Sequence, residues 1–347
     1  MTATLAAAAR VLVAHWRGTP TLLSAGLYLT HRCNLRCLYC SSPYRDTREL
    51  GTVEWRTVID QLADLGCRRV GILGGEPLLR PDVAEVIDHV RARGMSCVLT
   101  SNGLLVPRRI QDLRGLSTLV LSLDAPGPAN DAQRGVGVFA AVKRALAAAR
   151  TAEVPVKLNA VMSARTAPHL DALLAFCESQ DLHLTVNVMR SGAPDLWHRA
   201  ATLKAEDEAI RELLDRLATV ARGNPRLLFS EVTYRYAARW GTYGRDRFEA
   251  DELPAADPRL RDGPRCQAGR FYLSIDPDGT TYPCVATAGR ITGGNVVTDG
   301  VEAAWRRLHG HGCVACYSPC LVEQNFLLSL DQRAIRQFVR RHLPRFG

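Results

Sequence analysis

Three cysteines are concentrated in the stretch "THRCNLRCLYC" at residues 30–40. Cys33, Cys37 and Cys40 form a C-x3-C-x2-C pattern directly after the apolar run "SAGLYL". A structural zinc site uses four ligands, usually as two C-x2-C pairs, and nothing near these residues supplies a fourth. Three thiolates leave one metal position open, and soft thiolates select iron-sulfur clusters. The pattern therefore favours an iron-sulfur cube with one free iron over zinc with a distant fourth ligand or a chance grouping.

Five more cysteines lie in the C-terminal part of the chain. Cys266 and Cys284 flank a stretch in which period-two alternation surrounds a Pro-Asp-Gly turn, which predicts a hairpin. The stretch "CVACYSPC" then supplies Cys313, Cys316 and Cys320. The other three of the eleven cysteines stand singly, and we expect them to be small buried hydrophobes: Cys67, Cys97 and Cys177.

Six short apolar runs precede this region, and each is followed by a turn and a helical pattern. They read "GLYLT", "RRVGILGG", "SCVLTSN", "TLVLSLD", "VKLNAVM" and "LTVNVM". Nearly continuous apolar strands that alternate with helices indicate a parallel sheet, and right-handed crossovers would curl that sheet. Six strands are too few for a closed eight-stranded barrel. We therefore predict an α/β fold with an open, partial (β/α)6 barrel whose functional groups lie at the carboxyl ends of the strands.

Shifts in composition divide the chain into five predicted segments. They are an N-terminal helical extension at 1–21, the barrel at 22–222, a cap or linker at 223–262, a small α+β domain at 263–325 and a basic helix at 326–347. The boundary near residue 255 follows a change from aromatic and basic to acidic and proline-rich residues. Within the third segment, "TYRYAARWGTYGRDRF" fits either a substrate cap or a helix docked on the barrel.

The composition predicts a globular protein with a basic charge. The 347 residues are 47% hydrophobic and carry a net charge of +9, which is enough apolar content for a large core. The basic residues are scattered and no nucleic-acid-binding motif is present, so we expect no nucleic-acid partner. No run approaches a membrane span, and the N-terminus lacks the features of a signal peptide, so we expect a cytoplasmic protein without a transmembrane segment. The sequence leaves the oligomeric state open.

The first cysteine motif and the polar strand ends together resemble the radical S-adenosylmethionine (SAM) enzymes. The cysteine spacing, with an aromatic residue before the last cysteine, is similar to that family's cluster signature, and "GGEP", "TSNG" and "SLDA" follow strands two, three and four in the family's order. The resemblance implies a SAM-binding 4Fe-4S cluster on Cys33, Cys37 and Cys40. It also implies that SAM is bound by these residues: Tyr39, Gly74, Gly75, Glu76, Pro77, Ser101, Asn102, Ser122, Asp124 and Asn159.

The C-terminal cysteines are similar to the SPASM and twitch subdomains, which hold auxiliary iron-sulfur clusters. Gly279 fills the glycine position of that pattern, with four residues between it and the second cysteine. The resemblance implies a single auxiliary 4Fe-4S cluster, because too few cysteines remain for two. The expected ligands are Cys266, Cys284, Cys313 and Cys316, with Cys320 able to replace Cys316 and zinc as the alternative metal.

The resemblance implies that SAM is cleaved to methionine and a 5'-deoxyadenosyl radical, which abstracts a hydrogen atom from the substrate. The electron would come from a donor such as flavodoxin or ferredoxin. Acceptance of a second electron by the auxiliary cluster would give a dehydrogenation, and return of a hydrogen atom by a thiol or tyrosine would give an epimerisation. We therefore expect an oxidoreductase or an epimerase. Asn187 and Arg190 on strand six are expected to face the substrate. The candidates for proton and hydrogen-atom transfer are Arg134, Arg190, Glu231, Tyr234 and Tyr236.

The substrate class is predicted from the N-terminus. Few residues precede the first predicted strand, which leaves little room for the peptide-binding extension of many peptide-modifying relatives. We therefore expect a small-molecule substrate, such as a sugar-like, aminocyclitol-like or nucleoside-like biosynthetic intermediate. Modification of a ribosomal peptide or of a lipid is the alternative. An alternative of another class is a non-catalytic metal-binding scaffold.

Overall fold

Six parallel strands form the first part of the sheet, as the apolar runs predict. The computed structural model describes residues 2–190 and 203–342, so the predicted segments that include 191–202 and 343–347 lie partly outside the described residues. The strands neighbour one another in chain order, and all their pairings are parallel. They are β1 (Ser24–Tyr28), β2 (Arg69–Leu73), β3 (Ser96–Ser101), β4 (Thr118–Ser122), β5 (Val156–Met162) and β6 (His183–Val188). The predicted partial barrel is thereby confirmed.

Helices follow the strands and pack on the outer face of the sheet. In the helix at 52–64 the buried residues Trp55, Val58, Ile59 and Leu62 recur at helical spacing, which gives one apolar stripe. The described helices are α1 (Thr2–Arg17), α2 (Thr52–Asp64), α3 (Val83–Ala92), α4 (Val106–Arg109), α5 (Pro128–Arg134), α6 (Val138–Thr151), α7 (Leu170–Ser179), α8 (Asp207–Gly223), α9 (Glu231–Ala238), α10 (Pro258–Arg261), α11 (Val296–Asp299), α12 (Val301–Arg307), α13 (Pro319–Leu328) and α14 (Gln332–His342).

The other face of the sheet lines the interior of the barrel. In β5, Asn159 is half-buried, whereas the residues on either side of it are fully buried. Tyr28 in β1 and Asn187 in β6 are likewise half-buried beside buried neighbours. Because strand side chains alternate between the two faces, these three side chains point to the concave interior, away from the helices.

The predicted C-terminal hairpin continues the barrel sheet. It comprises β8 (Tyr272–Ile275) and β9 (Thr280–Tyr282), followed by β10 (Gly294–Asn295). β8 pairs in parallel with β1, and β9 and β10 add antiparallel pairs, so one nine-stranded sheet runs from β10 to β6 in the described part of the chain. Two further strands, β7 (Arg247–Glu249) and β11 (Cys313–Cys316), form a separate antiparallel pair. The chain therefore places the second cysteine group against the first strand of the barrel.

The aromatic stretch at 233–248 contributes to a helix docked on the fold. α9 buries Tyr234 and Tyr236, and Trp240 and Tyr243 follow it into the core. Trp240 and Tyr243 both contact the ring of Tyr317, at centroid distances of 5.6 and 5.0 Å. These contacts favour the docked helix over the substrate cap.

The three single cysteines are fully buried in the core, as predicted. Among the described residues, no helix is both long and apolar enough to cross a membrane. The N-terminal helix α1 buries Val11 and Ala14 against Phe271 and its neighbours, while Trp16 is 83% exposed. The predicted domain boundaries stay predictions.

Candidate active site and auxiliary metal centre

The loop after β1 carries Cys33, Cys37 and Cys40, each half-buried. The Leu35 backbone N–H donates to the Cys33 sulfur at 3.4 Å, and the Asn102 side-chain amide donates to it at 3.8 Å. Burial raises the pKa of all three thiols, that of Cys37 to about 11. Because burial disfavours free thiolates, deprotonated sulfurs at this position need a metal to balance their charge. The donor set fits an iron-sulfur cube with three protein ligands.

The glycine-rich turn after β2 packs directly on this loop. A Cβ on Gly74 would lie 2.3 Å from the Thr30 carbonyl oxygen, and one on Gly75 would lie 2.2 Å from that of Arg32. The Gly75 N–H donates to the Thr30 carbonyl at 2.7 Å. Pro77 is buried immediately after the turn. The glycines therefore allow contact between the turn and the cysteine loop, and the predicted contact between this turn and SAM stays a prediction.

Glu76 is fully buried and binds the end of β3. Its carboxylate accepts hydrogen bonds from Ser101 Oγ at 3.0 Å, from the Asn102 N–H at 2.8 Å and from the Leu78 N–H at 3.2 Å. Burial raises the pKa of Glu76 to about 7, although these bonds oppose the shift. These bonds pair the Glu76 carboxylate and the Ser101 hydroxyl within the protein, and the predicted contacts of the two residues with SAM stay predictions.

Asn102 connects β3 to the cysteine loop. Its side-chain N–H donates to Asn34 Oδ1 at 2.7 Å, and its own Oδ1 accepts from the Leu104 N–H at 3.0 Å. The same amide is the one that lies beside the Cys33 sulfur. Asn102 therefore positions the first cysteine, and its predicted contact with SAM stays a prediction.

Asp124 is the centre of a buried network, and its predicted contact with SAM stays a prediction. It accepts five hydrogen bonds: one from Tyr39 Oη at 3.2 Å, one from Gln133 Nε2 at 2.6 Å, two from Arg134 at 2.7 Å and one from the Val161 N–H at 2.8 Å. A carboxylate offers about four lone-pair sites, and these bonds occupy them. Tyr39 is likewise oriented by Asp124.

Arg134 is held in the same network, and its predicted role in proton transfer stays a prediction. Burial alone would lower the pKa of Arg134, but Asp124 raises it overall. The guanidinium also lies 5.5 Å from the centre of the Tyr39 ring. Gln133, which the sequence analysis missed, completes the network from the same helix. The motif "SLDA" indicated the Asp124 carboxylate, but it did not predict that Gln133 and Arg134, about ten residues later, bind that carboxylate.

The interior face of the barrel carries a line of polar side chains. Ser122 lies beside Asn159 in the register of β4 and β5. Asn159 Oδ1 accepts from Thr185 Oγ1 at 2.9 Å and from Asn187 Nδ2 at 3.0 Å. Asn187 Oδ1 in turn accepts from the Cys320 N–H at 3.1 Å. The structure therefore joins two predicted SAM contacts, Ser122 and Asn159, to the C-terminal cysteine group.

Four of the five C-terminal cysteines line one small cavity: Cys266, Cys284, Cys313 and Cys316. Arg247 lines it too, and its buried Nε has no hydrogen-bond partner among the described residues. Burial raises the pKa of the Cys284 and Cys316 thiols. An unpaired buried N–H beside four thiols fits a cluster whose sulfur atoms accept hydrogen bonds.

Cys320 does not line the auxiliary cavity. It lies in the first turn of α13, with its sulfur 3.4 Å from Ser318 Oγ and its backbone N–H bonded to Asn187. It packs with Cys266, Cys284 and Cys316 in one small apolar cluster. Cys320 therefore lies between the cavity and the barrel interior, and its exchange with Cys316 as a ligand stays a prediction.

Arg190 follows β6 and reaches the same region. It donates to Asp246 at 3.2 Å. Burial would lower the pKa of Arg190, but Asp246 and the nearby thiols of Cys320 and Cys284 raise it overall. No motif in the sequence indicated Tyr28. Burial is the main cause that raises the pKa of Tyr28, and the charges of the same two thiols raise it further. The structure therefore keeps Arg190 as a candidate and adds Tyr28.

The other candidates for proton or hydrogen-atom transfer lie on α9, and their predicted roles stay predictions. Glu231 is paired with Arg222 and Arg235, and the Arg222 contact is the main reason that the pKa of Glu231 falls to about 2. Tyr234 Oη donates to a carbonyl of β6 at 3.0 Å, and Tyr236 Oη to a carbonyl of α10 at 3.3 Å. Their polar atoms stabilise the docking of α9 and do not face the barrel interior.

Asp276, at the end of β8, ties the C-terminal hairpin to the first cysteine loop. It is buried and lies 2.7 Å from an Arg45 nitrogen and 3.6 Å from His31 Nε2. Burial would raise the pKa of Asp276, but His31 and Arg45 lower it overall. The sequence analysis missed this contact, because no motif links residues so far apart in the chain.

Comparisons with known proteins agree with this geometry. A family model described as the radical SAM superfamily matches residues 27–173, and SPASM, described as an iron-sulfur cluster-binding domain, matches residues 266–309. The mycofactocin maturase MftC of Mycobacterium ulcerans (strain Agy99) is 32% identical over 291 residues, covering 80% of this chain and 73% of that protein. The PqqA peptide cyclase of Xanthomonas axonopodis pv. citri (strain 306) is 33% identical over 279 residues, covering 77% and 69%.

Among solved structures, Streptococcus suis SuiB bound to S-adenosylmethionine has a TM-score of 0.65 and 20% identity, covering 85% of this chain and 68% of that one. SuiB bound to the precursor peptide SuiA has a TM-score of 0.65 and 19% identity, covering 84% and 66%. These likenesses support the fold. The family matches confirm the predicted cofactors, which are SAM, its 4Fe-4S cluster and an auxiliary 4Fe-4S cluster.

The predicted substrate is wrong. A sugar-like, aminocyclitol-like or nucleoside-like small molecule was expected from the short N-terminus, and a small molecule was also the expected partner. The relatives that match most of this chain include a maturase and a peptide cyclase. The few residues before β1 therefore gave no information on the substrate class.

Proposed function

This chain belongs to the radical SAM superfamily and has an auxiliary cluster domain, and from this we propose that it modifies a peptide. The observation that carries the proposal is its match to the PqqA peptide cyclase, which extends over more than two thirds of both chains. The alternative of a non-catalytic scaffold does not explain the polar interior of the barrel.

The residues of this chain position the reactants. When bound, SAM and its cluster supply a one-electron cleavage that removes a hydrogen atom from the substrate. Cys33, Cys37 and Cys40 would hold the cluster, and Asn102 would orient Cys33 through its amide. Asp124 accepts a hydrogen bond from Tyr39, the aromatic residue of the cysteine loop, and so fixes the orientation of its ring. These buried hydrogen bonds set the loop geometry before the ligands bind, which lowers the cost of ordering it later.

The barrel interior offers amide groups that suit a peptide. Asn159 and Asn187 face it; the Asn159 oxygen already accepts two hydrogen bonds, which leaves its N–H groups, together with one N–H and one lone pair of Asn187, for a substrate. A peptide backbone needs both a donor and an acceptor from its partner. Arg190 adds a positive charge near the auxiliary cavity.

We propose that the net outcome is an oxidation of the peptide. The auxiliary cavity adjoins the barrel interior through Cys320 and Arg190, so a second electron would have a nearby acceptor. Epimerisation is the second candidate, because Cys320 is a thiol outside the four that line the cavity. In that case the thiol returns a hydrogen atom, and a reductant outside the protein must restore it with one electron and one proton.

The test uses the anaerobically reconstituted protein, SAM, a reductant and peptides encoded by short reading frames beside its gene. Mass spectrometry that finds a loss of hydrogen mass supports oxidation. Unchanged mass with deuterium uptake from heavy water supports epimerisation. Transfer of deuterium from a labelled peptide into 5'-deoxyadenosine would tie either change to hydrogen abstraction. Cleavage of SAM without any change in these peptides, together with modification of a non-peptide metabolite, would overturn the proposal.

A further inference from the structure

A groove with a large excess of positive charge lies between the end of α8 and the helices α9, α10 and α14. Three carboxylates line it. The arginines that line it are Arg222, Arg235, Arg239, Arg259, Arg261, Arg265, Arg333, Arg336, Arg340 and Arg341. Ten arginines against three carboxylates leave a surplus of seven positive charges, whereas the whole chain carries a net charge of +9. Residues that look scattered in the sequence are therefore gathered by the fold on one surface.

Several of these arginines are free to bind a ligand. Arg239, Arg265 and Arg340 are exposed and form no ion pair with the described residues. Others are already engaged: Arg222 and Arg235 share one carboxylate. Like charges held together in a concave surface repel one another and focus a positive potential. Such a groove gains most from a negatively charged occupant.

The walls of the groove favour a peptide over a nucleic acid. Glu231, Asp262 and Asp331 stand among the arginines and would repel an unbroken chain of phosphates, whereas a peptide can place its acidic side chains between them. The aromatic residues of the groove, Tyr236 and Phe326, are 8% and 2% exposed, so they offer no platform on which bases could stack. A concave groove also fits poorly against a flat membrane.

The groove borders the auxiliary metal centre. Tyr236 and Pro264 line both the groove and the cavity that holds the four thiols. We propose that this groove binds an acidic segment of the polypeptide substrate. The inference rests on the proposed function. In it, the groove holds a part of the substrate that does not react. Charge complementarity supplies the affinity, and it also speeds association.

The test measures binding of a fluorescein-labelled oligoglutamate peptide to the reconstituted protein by fluorescence anisotropy. The variant Arg239→Glu/Arg340→Glu reverses two unpaired charges in the groove and should weaken binding by about tenfold. The control Arg108→Glu/Arg144→Glu makes the same charge change at two exposed positions on the barrel, and it should bind as the unaltered protein does. Added salt should weaken binding to the unaltered protein, because the contacts are ionic and solvent-exposed.

Three results would overturn the inference. Equal weakening in both variants would mean that only the net charge of the protein matters. Tighter binding of a single-stranded oligodeoxythymidylate, lost in the groove variant alone, would assign the groove to nucleic acid. Modification of a peptide without any oligoglutamate binding would leave the proposed function in place and remove the groove from it. Conversely, groove-dependent oligoglutamate binding by a protein that modifies only non-peptide metabolites would remove the proposed function and leave an acidic-peptide site.

Discussion

Single side chains at this site are held by buried carboxylates that are paired inside the protein. Asp124 and Glu76 are both fully buried, and both accept hydrogen bonds from backbone N–H groups, Asp124 from β5 and Glu76 from the residue that follows β3. Their energetics differ. Asp124 faces a guanidinium, which compensates its charge, whereas Glu76 accepts bonds only from neutral donors. A charged Glu76 is therefore costly to bury.

This difference predicts a pH dependence of stability. Burial raises the pKa of Glu76 from 4.5 to about 7. Between those pH values the folded state binds more protons at this group than the unfolded state, so the free energy of unfolding falls as the pH rises. We expect Glu76→Gln to remove about 3 kcal/mol of that fall. Urea unfolding at acidic and neutral pH measures it.

The control for this experiment is Glu178→Gln, at an exposed position on α7. The stability of this variant should depend on pH as that of the unaltered protein does, because the variant keeps Glu76, the thiols and the other carboxyls. If Glu76→Gln changes the overall stability but not its slope with pH, then Glu76 does not hold a proton in the folded state.

The auxiliary ligands give a second prediction at the scale of residues. Cys316 lines the cavity and Cys320 does not. We expect Cys316→Ser to lose the auxiliary cluster, so that iron after anaerobic reconstitution falls to roughly half. Cys320→Ser should keep all of it. Iron and sulfide analysis with paramagnetic resonance measures the cluster content of both variants. Cys97→Ala removes a cysteine of the barrel core and is the control for loss of a thiol that binds no cluster. Loss of the cluster in Cys320→Ser with full iron in Cys316→Ser would make Cys320, and not Cys316, the fourth ligand.

At the scale of elements, the glycine-rich turn and the cysteine loop behave as one unit. Ala at position 75 would place a Cβ within 2.2 Å of a backbone oxygen of the loop, and backbone cannot move aside as a flexible side chain can. We expect Gly75→Ala to displace the loop and to reduce iron at the first site, leaving roughly half of the total iron at the auxiliary site. Gly223→Ala is the matched control, since no atom lies within 4 Å of its new Cβ. Full iron in Gly75→Ala would show that the loop adapts.

The elements were predictable where their own residues determine them. β1 to β6 lie in short apolar runs, most of them rich in Val, Ile and Leu, and such runs are typical of a buried parallel sheet. The parallel pairing of β8 with β1 could not be predicted, because a hairpin has the same alternation whether it stands alone or extends another sheet. The same limit applied to Asp124: its motif marks a strand end, but only the fold shows that Gln133 and Arg134 occupy its oxygens.

At the scale of the whole molecule, the nine-stranded sheet links the first cysteine loop to the C-terminal hairpin, while Cys313 and Cys316 lie on the separate strand β11. β1 leads into the first cysteine loop, and β8, its parallel neighbour, leads to Asp276, which contacts Arg45 beyond that loop. On the other side of the barrel, Asn187 joins Asn159 to the start of α13. Two separate contacts therefore fix the auxiliary domain against the barrel, one at each side of its opening.

The contact at Asn187 gives the last prediction. In Asn187→Ala, the Cys320 N–H loses its acceptor, while every predicted cluster ligand is retained. We expect full iron and continued SAM cleavage, with about fivefold more 5'-deoxyadenosine formed per modified peptide, since a lost hydrogen bond of about 1 kcal/mol changes a ratio by about that factor. Asn187→Asp keeps the oxygen that accepts from Cys320 and should recover much of the coupling. Loss of iron in Asn187→Ala would show that the residue only stabilises the fold, and an unchanged ratio in both variants would mean that the two centres act together without this contact.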